Sequence, residues 1–254
     1  MLTHEQKMRL LIDDKYPLAA KYDPEWMYAH KMGDQCLWLI ESLTRIMDLK
    51  PGMRVLDMGC GCALTSIFLA KEFGVTVFAN DLWIDPSDNW KRICEAGVQN
   101  LVYPIRGEAH ALPYAANFFD CVVSVNSHQM YGTADNYLID YMAHLLRPDG
   151  QFGIAVWGPD KEFDGKVPEE MAKSWWPDFY YFHSLDWWKW HFEKTRLFDI
   201  EAGDDLDGDG ARVTAQWAKI MDVYDENATV LNNTMRWNRM VARRNHSYAD
   251  DFRV

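Results

Sequence analysis

Three carboxylates stand where short apolar runs end. Asp57 closes Met53-Arg54-Val55-Leu56, Asp81 closes Val75 to Asn80, and Glu108 follows the run Leu101 to Ile105. Gly59 and Gly61 come directly after the first of them. Glycine tolerates positive φ and lets backbone N–H groups approach a ligand closely. A helix that starts at such a turn offers its free N–H groups to an acceptor such as a carboxylate. An acidic residue at the end of a second strand can take both hydroxyls of a ribose. Glu108 lies beside the backbone N–H of Ala109, and that pairing can read the edge of an adenine ring. One such carboxylate would be an ordinary surface residue; three on successive strand ends suggest an adenosine site. Its expected contacts are Asp57, Gly59, Cys60, Gly61, Asp81, Leu82, Glu108 and Ala109, with Asn126 after the fourth strand.

The elements that must position these residues follow from hydrophobic period. Residues 1–50 read as helices, and the apolar spacing from Gln35 to Met47 ends at Pro51-Gly52. Strands are expected over 53–58, 75–80, 101–105, 120–125 and 151–157, with helices over 63–73, 88–96 and 137–146. Alternating strands and helices argue for parallel βαβ units and a doubly wound sheet with ligands at the carboxyl ends of the strands. Regular structure resumes over 197–202, with a helix over 211–221 and a last strand over 234–242. The expected fold is therefore α/β, Rossmann-like, with helices on both faces of a mostly parallel sheet. The expected organisation is one domain over 1–254: an N-terminal helical cap (1–50), a cofactor-binding core (51–157), an aromatic-rich insertion or lid (158–192), and the C-terminal part of the sheet (193–254).

These motifs jointly resemble the class I S-adenosylmethionine-dependent methyltransferases, in their small-molecule branch. The carriers are Asp57-Met58-Gly59-Cys60-Gly61-Cys62-Ala63, Asp81, Gly107-Glu108-Ala109-His110-Ala111-Leu112-Pro113, Phe119-Asp120 and Arg147-Pro148-Asp149-Gly150. The resemblance spans residues 35–157 closely and reaches loosely to a last strand at Arg236 to Arg243. It implies a seven-stranded sheet, S-adenosylmethionine as cofactor, and methyl transfer to a small-molecule acceptor by in-line displacement. Two departures stand out: Ala63 occupies the place of the usual third glycine, and Glu108 replaces the commoner aspartate.

Methyl transfer from a sulfonium needs alignment more than a nucleophilic triad. The polar groups after the fourth strand are Asn126, Ser127, His128, Gln129 and Tyr131, and in the resembling family this loop faces the transferred methyl. His128 is the candidate base or orienting group and Tyr131 a candidate partner, both in the acceptor pocket; a core histidine is the bland alternative. The other candidate pocket residues are aromatics: Trp26 and Tyr28 in the N-terminal segment, with Trp157, Trp176 and Tyr180 at or within the insertion. Such rings can box a cationic amine or bury a flat acceptor, and most of the aromatics in 158–192 are expected to be core. A nitrogen acceptor is slightly favoured over oxygen or sulfur.

Composition narrows the partners. The 254 residues are 48% apolar, enough for a full core. Against 26 Lys and Arg stand 38 Asp and Glu, a formal net charge of −12. That balance repels phosphate backbones and anionic membranes, so neither nucleic acid nor membrane is expected; a homodimer is left open. The basic cluster from Arg239 to Arg244 reads as solvated positions flanking a strand. The charged N-terminus lacks an apolar leader run, and five cysteines make no disulfide framework, so a cytoplasmic setting is expected. Asp205 to Gly210 begins like a calcium loop, but Gln216 stands where the glutamate should be, so no metal is expected.

Two other readings remain: a non-catalytic adenosine-nucleotide module, and a dinucleotide oxidoreductase. The latter fits poorly, because Gly59-Cys60-Gly61 is followed by Cys62-Ala63-Leu64 without the third glycine of a pyrophosphate turn. In a thermal-shift comparison, saturating S-adenosylhomocysteine should raise the melting temperature and a nicotinamide dinucleotide should not. The reverse order would favour the oxidoreductase.

Overall fold

Neighbouring residues on the strands of this chain belong to different cores. Val55 and Leu56 fall in separate buried clusters, as do Cys121 and Val122, because successive strand side chains point to opposite faces. Both faces are covered, which is the condition a parallel sheet needs. The structure is a computed structural model, and it describes residues 1–254 except 34, 164, 173, 174, 176, 223–233 and 246–254.

Three α-helices come first: α1 (His4–Leu11), α2 (Pro24–Ala29) and α3 (Cys36–Thr44). The alternation then runs β1 (Arg54–Met58), α4 (Leu64–Phe73), β2 (Thr76–Asp81), α5 (Pro86–Glu95), β3 (Val102–Arg106) and β4 (Phe119–Val125). The helix expected over 137–146 is a π-helical turn, Leu138–Met142, that tightens into a short α6 (Ala143–Leu145). The remaining elements are β5 (Leu146–Pro159), α7 (Leu185–Glu193), β6 (Phe198–Asp204), α8 (Gly210–Ile220) and β7 (Met235–Arg244). The sheet has seven strands in the order β3-β2-β1-β4-β5-β7-β6. β1 to β5 pair in parallel, and β7 is antiparallel to both β5 and β6. Strand order reverses between β1 and β4, so the loops leaving those two strands diverge and open a crevice at their carboxyl ends.

One core lies between the sheet and helices α3 and α4, with Trp38, Leu39, Ile67 and Phe68 fully buried. The opposite core takes Tyr137, Phe152, Trp188 and Phe192. The 158–192 insertion thus divides. Trp188, Phe179 and Phe192 are interior, while Tyr180 and Trp190 are more than half exposed. Among the described residues no helix is long and apolar enough to cross a membrane.

The N-terminal segment is fastened from two sides. Asp209 is buried and accepts hydrogen bonds from Lys15 (2.7 Å), Tyr16 (2.9 Å) and Arg212 (2.6 Å). Glu41 on α3 accepts from the backbone N–H of Ala19 at 2.7 Å. The Asp-rich stretch of 205–210 therefore serves as a clasp for residues 15–16.

The basic cluster of β7 corrects the expectation of solvated positions. Arg239 is 5% exposed; it donates to both carboxylate oxygens of Asp204 (2.8 and 3.0 Å) and to the Ser42 carbonyl oxygen (2.7 Å). Arg244 is buried and donates to Asn117 (2.6 Å) and to the Leu146 carbonyl. Arg243 pairs with Asp48 at 3.1 Å and with Glu201. An antiparallel strand inserted between two others has little free surface, so its long cations must find internal partners.

Arg239→Met should cost about 2–3 kcal/mol in urea unfolding, read as a lower midpoint at unchanged slope. The figure sits below that of a fully enclosed pair because the Asp204 side chain is 39% exposed and can rehydrate. An unchanged midpoint would mean the cross-link does not hold β6 and β7 to α3.

Candidate functional site

The turn after β1 is wound by alternate left-handed residues: Gly59 (φ +73°), Gly61 (φ +53°) and Ala63 (φ +62°). The missing third glycine has not changed the path. Alanine adopts the left-handed conformation at a cost of roughly 1–2 kcal/mol, and its methyl is fully buried. The first two glycines are forced by contact as well as by φ. A Cβ on Gly59 would lie 2.4 Å from the Ser127 hydroxyl, and one on Gly61 would press on the Met32 sulfur at 3.1 Å.

Backbone and side-chain bonds hold the turn from every direction. The N–H groups of Gly59 and Cys60 donate to the Asn80 carbonyl (2.9 and 3.0 Å). The Gly61 N–H donates to Asp81 Oδ2 at 2.8 Å. Asp81 Oδ1 accepts from the N–H groups of Trp83 (2.8 Å) and Ile84 (3.0 Å). From α5, Asn89 donates to the Gly61 carbonyl (2.9 Å) and Arg92 to the Cys62 carbonyl (3.2 Å). No side chain caps α4, so its first-turn N–H groups stay available at the cavity wall beside Leu64 and Thr65.

The loop after β4 closes over this turn. Ser127 and Tyr131 both donate to the Met58 carbonyl (2.8 and 3.0 Å), and Ser124 joins their hydroxyls at 2.8 and 2.7 Å. Asn126 sits at φ +56°, with its N–H on the Ala155 carbonyl at 2.8 Å. These loops enclose a cavity of about 460 Å³. Of the nucleotide contacts expected from sequence, Gly59, Cys60, Gly61, Asp81, Leu82, Glu108, Ala109 and Asn126 all line it. Glu108 accepts from the His110 N–H (2.8 Å) and pairs with the His110 ring (2.7 Å). Burial works against its charge, but these His110 bonds hold it below the usual carboxylate range.

Asp57 is placed differently. It is buried, is absent from the cavity wall, and its Oδ2 accepts from the hydroxyls of Thr65 and Ser66 at 2.6 Å each. Its Oδ1 has no partner.

The acceptor-side expectations fare less evenly. His128 must be corrected: it is fully buried, absent from the cavity wall, and enclosed by the rings of Tyr131, Phe152, Trp188 and Phe192 at 5.0–5.8 Å. Neither ring nitrogen has a partner, and burial, helped by His191, drops its basicity to about 3. It is a neutral core side chain, as the bland alternative held. Tyr131 does line the cavity, but its hydroxyl is committed to the network on Met58, and burial pushes its phenol above the usual range.

The expected aromatic wall is also corrected. Trp26 stacks on Tyr22 (5.9 Å), Tyr28 meets His4 and Lys31, and Trp157 packs on Phe182 (5.3 Å). Tyr180 is exposed against Trp175. None of these four lines the cavity, and Trp176 lies outside the described residues. Among the described residues, nothing from 158–192 reaches it. The N-terminal segment does reach it, through His30, Met32, Gly33 and Cys36. Thr65, Asn80, Trp83, His110 and Met130 also line it without having been singled out as contacts, and Gln129, one of the polar groups expected after the fourth strand, lines it too. Sequence carried one usable signal for 30–36: Gly33, in an otherwise helical stretch, marks a break where the chain can cross the turn (φ +80°).

Asp57 gives the site a testable pH signature. Burial pushes its carboxyl up to about 6, against the pull of Ser66 and Thr65 and with help from the charge of Asp81. The unfolded chain loses this proton near the ordinary value of 3.8, so between about 4 and 6 the folded chain holds a proton that the unfolded chain lacks. The stability contributed by this group is fully present below about 4 and is lost as pH rises through about 6. The loss should be on the order of 2–3 kcal/mol. The difference in unfolding free energy between wild type and Asp57→Asn should therefore drift by that amount from pH 4 to pH 7. A constant difference would mean that Asp57 is ionised throughout.

Comparison with known proteins agrees with the geometry. Residues 55–150 match the family model of the methyltransferase domain. The sterol 24-C-methyltransferase of Yarrowia lipolytica is 24% identical over 212 residues, covering 77% of this chain and 53% of that protein. The chain thus spans about half the length of that curated relative. A solved phosphoethanolamine N-methyltransferase 2 of Haemonchus contortus, in complex with S-adenosyl-L-methionine, superposes with a TM-score of 0.68 at 19% identity, covering 97% of this chain and 61% of that one. The [4+2]-cyclase SpnF has the same fold, with a TM-score of 0.66 at 17% identity over 82% of this chain and 80% of its own. Residues 55–150 thus match a methyltransferase domain, and the seven-stranded sheet with a glycine turn at its switch point is the fold of these solved neighbours.

Proposed function

We propose that this chain transfers a methyl group from S-adenosylmethionine to a small-molecule acceptor, with nitrogen preferred over oxygen or sulfur. One observation carries the cofactor half: Asp81 both pins the glycine turn and lines the cavity. Its carboxylate keeps unused lone pairs beyond the three N–H groups it accepts, as a ribose diol requires. Glu108 and Ala109 would take the adenine end. The uncapped start of α4 would take the carboxylate of the amino-acid end. When bound, the cofactor supplies a methyl on a sulfonium, an already activated leaving group. The protein's part is then to align the acceptor and exclude water, worth on the order of 7–11 kcal/mol.

The nitrogen preference rests on the charge of the wall. Asp81 and Glu108 line the cavity, and among the described residues no Lys or Arg does. Such a wall repels phosphate and carboxylate groups and welcomes neutral or cationic amines. Met32, Cys36, Met58, Val125 and Met130 supply apolar surface for the acceptor's hydrocarbon part. We also read residues 1–50 and the sheet as one working unit, since His30 to Cys36 form part of the wall.

The test is turnover of methyl-labelled S-adenosylmethionine across amines, their phosphorylated counterparts, phenols, thiols and carboxylic acids. Uncharged or cationic amines should be methylated, and a phosphate on the same amine should lower kcat/KM at least tenfold. Methylation confined to phenols or thiols would remove the nitrogen preference. Tight binding of S-adenosylhomocysteine with no methyl transfer would favour a non-catalytic module or a cyclase-like use of the fold.

A further inference from the structure

Moving His128 into the core leaves the cavity without its expected base. Every other titratable side chain on the cavity wall can be considered in turn. Asp81 accepts three backbone N–H groups, and Glu108 is paired with His110 through both oxygens. Tyr131 is tied to Met58, Ser124 and Ser127. The thiols of Cys36, Cys60 and Cys62 are all pushed up by burial, the first to about 12, and stay protonated. His30 is different. Its Nδ1 stands 2.9 Å from the Trp26 carbonyl oxygen, one helical turn back. A carbonyl can only accept, so the proton must be on Nδ1 and the lone pair on Nε2. Nε2 has no hydrogen-bond partner among the described residues, and His30 lines the cavity.

A second group complements it. Gln129 is 3% exposed and lines the cavity, and its Oε1 has no partner. A buried amide oxygen left unpaired costs about 1–3 kcal/mol unless something in the cavity donates to it. Nε2 of His30 and Oε1 of Gln129 are both acceptors. They call for an acceptor molecule that brings its own donors.

We propose that His30 is the general base of this site, acting on an N–H acceptor that Gln129 helps to orient. This inference rests on the methyltransferase reading and deepens it. In the step it serves, the acceptor nitrogen forms its bond to the methyl carbon and the electron pair of the broken carbon–sulfur bond stays on sulfur. The nitrogen's proton passes to Nε2 of His30 and from there to solvent. An acceptor whose nitrogen carries no proton at neutral pH, such as an N,N-dialkylaniline, would gain nothing from His30.

The test combines a chemical probe with kinetics on the full chain. Diethyl pyrocarbonate, followed by peptide mass spectrometry, should carbethoxylate His30 at least tenfold faster than His128. His30→Asn keeps an N–H donor for the Trp26 carbonyl but removes the base. It should bind S-adenosylhomocysteine within about twofold of wild type by calorimetry. Its turnover of the best secondary amine should fall about 10²–10³-fold and be partly restored by added imidazole, while turnover of an N,N-dialkylaniline is affected less than threefold. His128→Leu should keep its turnover within about threefold. Unreactive His30, unchanged turnover in His30→Asn, or equal losses for the secondary amine and the N,N-dialkylaniline would each overturn the base. A wild-type chain that methylates nothing overturns the parent reading and this one with it.

Discussion

The carboxylate of Asp81 holds three backbone N–H groups from two loops, and the rest of the site depends on that hold. Gly61 belongs to the turn after β1, and Trp83 and Ile84 to the exit of β2. An ionised carboxylate accepting several amide N–H groups is among the stronger hydrogen-bonded arrangements in a protein. Here it fixes the left-handed turn at one edge of the crevice. Without it, three left-handed residues in a span of five would keep their path on fewer bonds, those to the Asn80 and Cys60 carbonyls and from the α5 side chains.

From that anchor the cavity is built by loops that meet because of strand order. β1 and β4 are neighbours in the sheet although far apart in the chain, so Met58 can accept from Ser127 and Tyr131. The N-terminal segment supplies the third wall, held by the clasp of Asp209 on Tyr16 and by Glu41 on the Ala19 N–H. Gly33 and Gly61 mark its closest approaches to the rest of the site. A Cβ on Gly33 would lie 2.4 Å from Asn126, and one on Gly61 would meet Met32. The wall is thus assembled from three stretches of chain at the end of one sheet, which is how this architecture commonly makes ligand sites.

The same fold supports C-methylation, N-methylation and a [4+2] cyclisation among the proteins it resembles. Fold alone therefore decides little about chemistry. The cavity wall combines the carboxylates of Asp81 and Glu108 with Met32, Met58 and Met130, the amide of Gln129 and the imidazole of His30.

The elements that follow from local chemistry were legible in the sequence. Period two over Val75 to Asn80, the glycines after Asp57 and the Pro-Asp-Gly turn at 148–150 are properties of a few adjacent residues, and they located the strands, the turn and eight of the cavity-lining contacts. Even the substitution at Ala63 was local, and the backbone simply kept the left-handed path. Tertiary structure alone decided which polar side chains face the ligand. His128 and His30 are the same residue type near apolar neighbours. One is walled in because Trp188 and Phe192 of α7 pack over it, and the other reaches the cavity because the N-terminal segment is pinned across the turn. Arg239 looked solvated and is interior because β7 runs between β5 and β6, a placement set by long-range pairing. Sequence determines what a residue can do and the period of the element that carries it. Which cavity or core receives the side chain depends on contacts between distant segments, and those exist only once the sheet has closed.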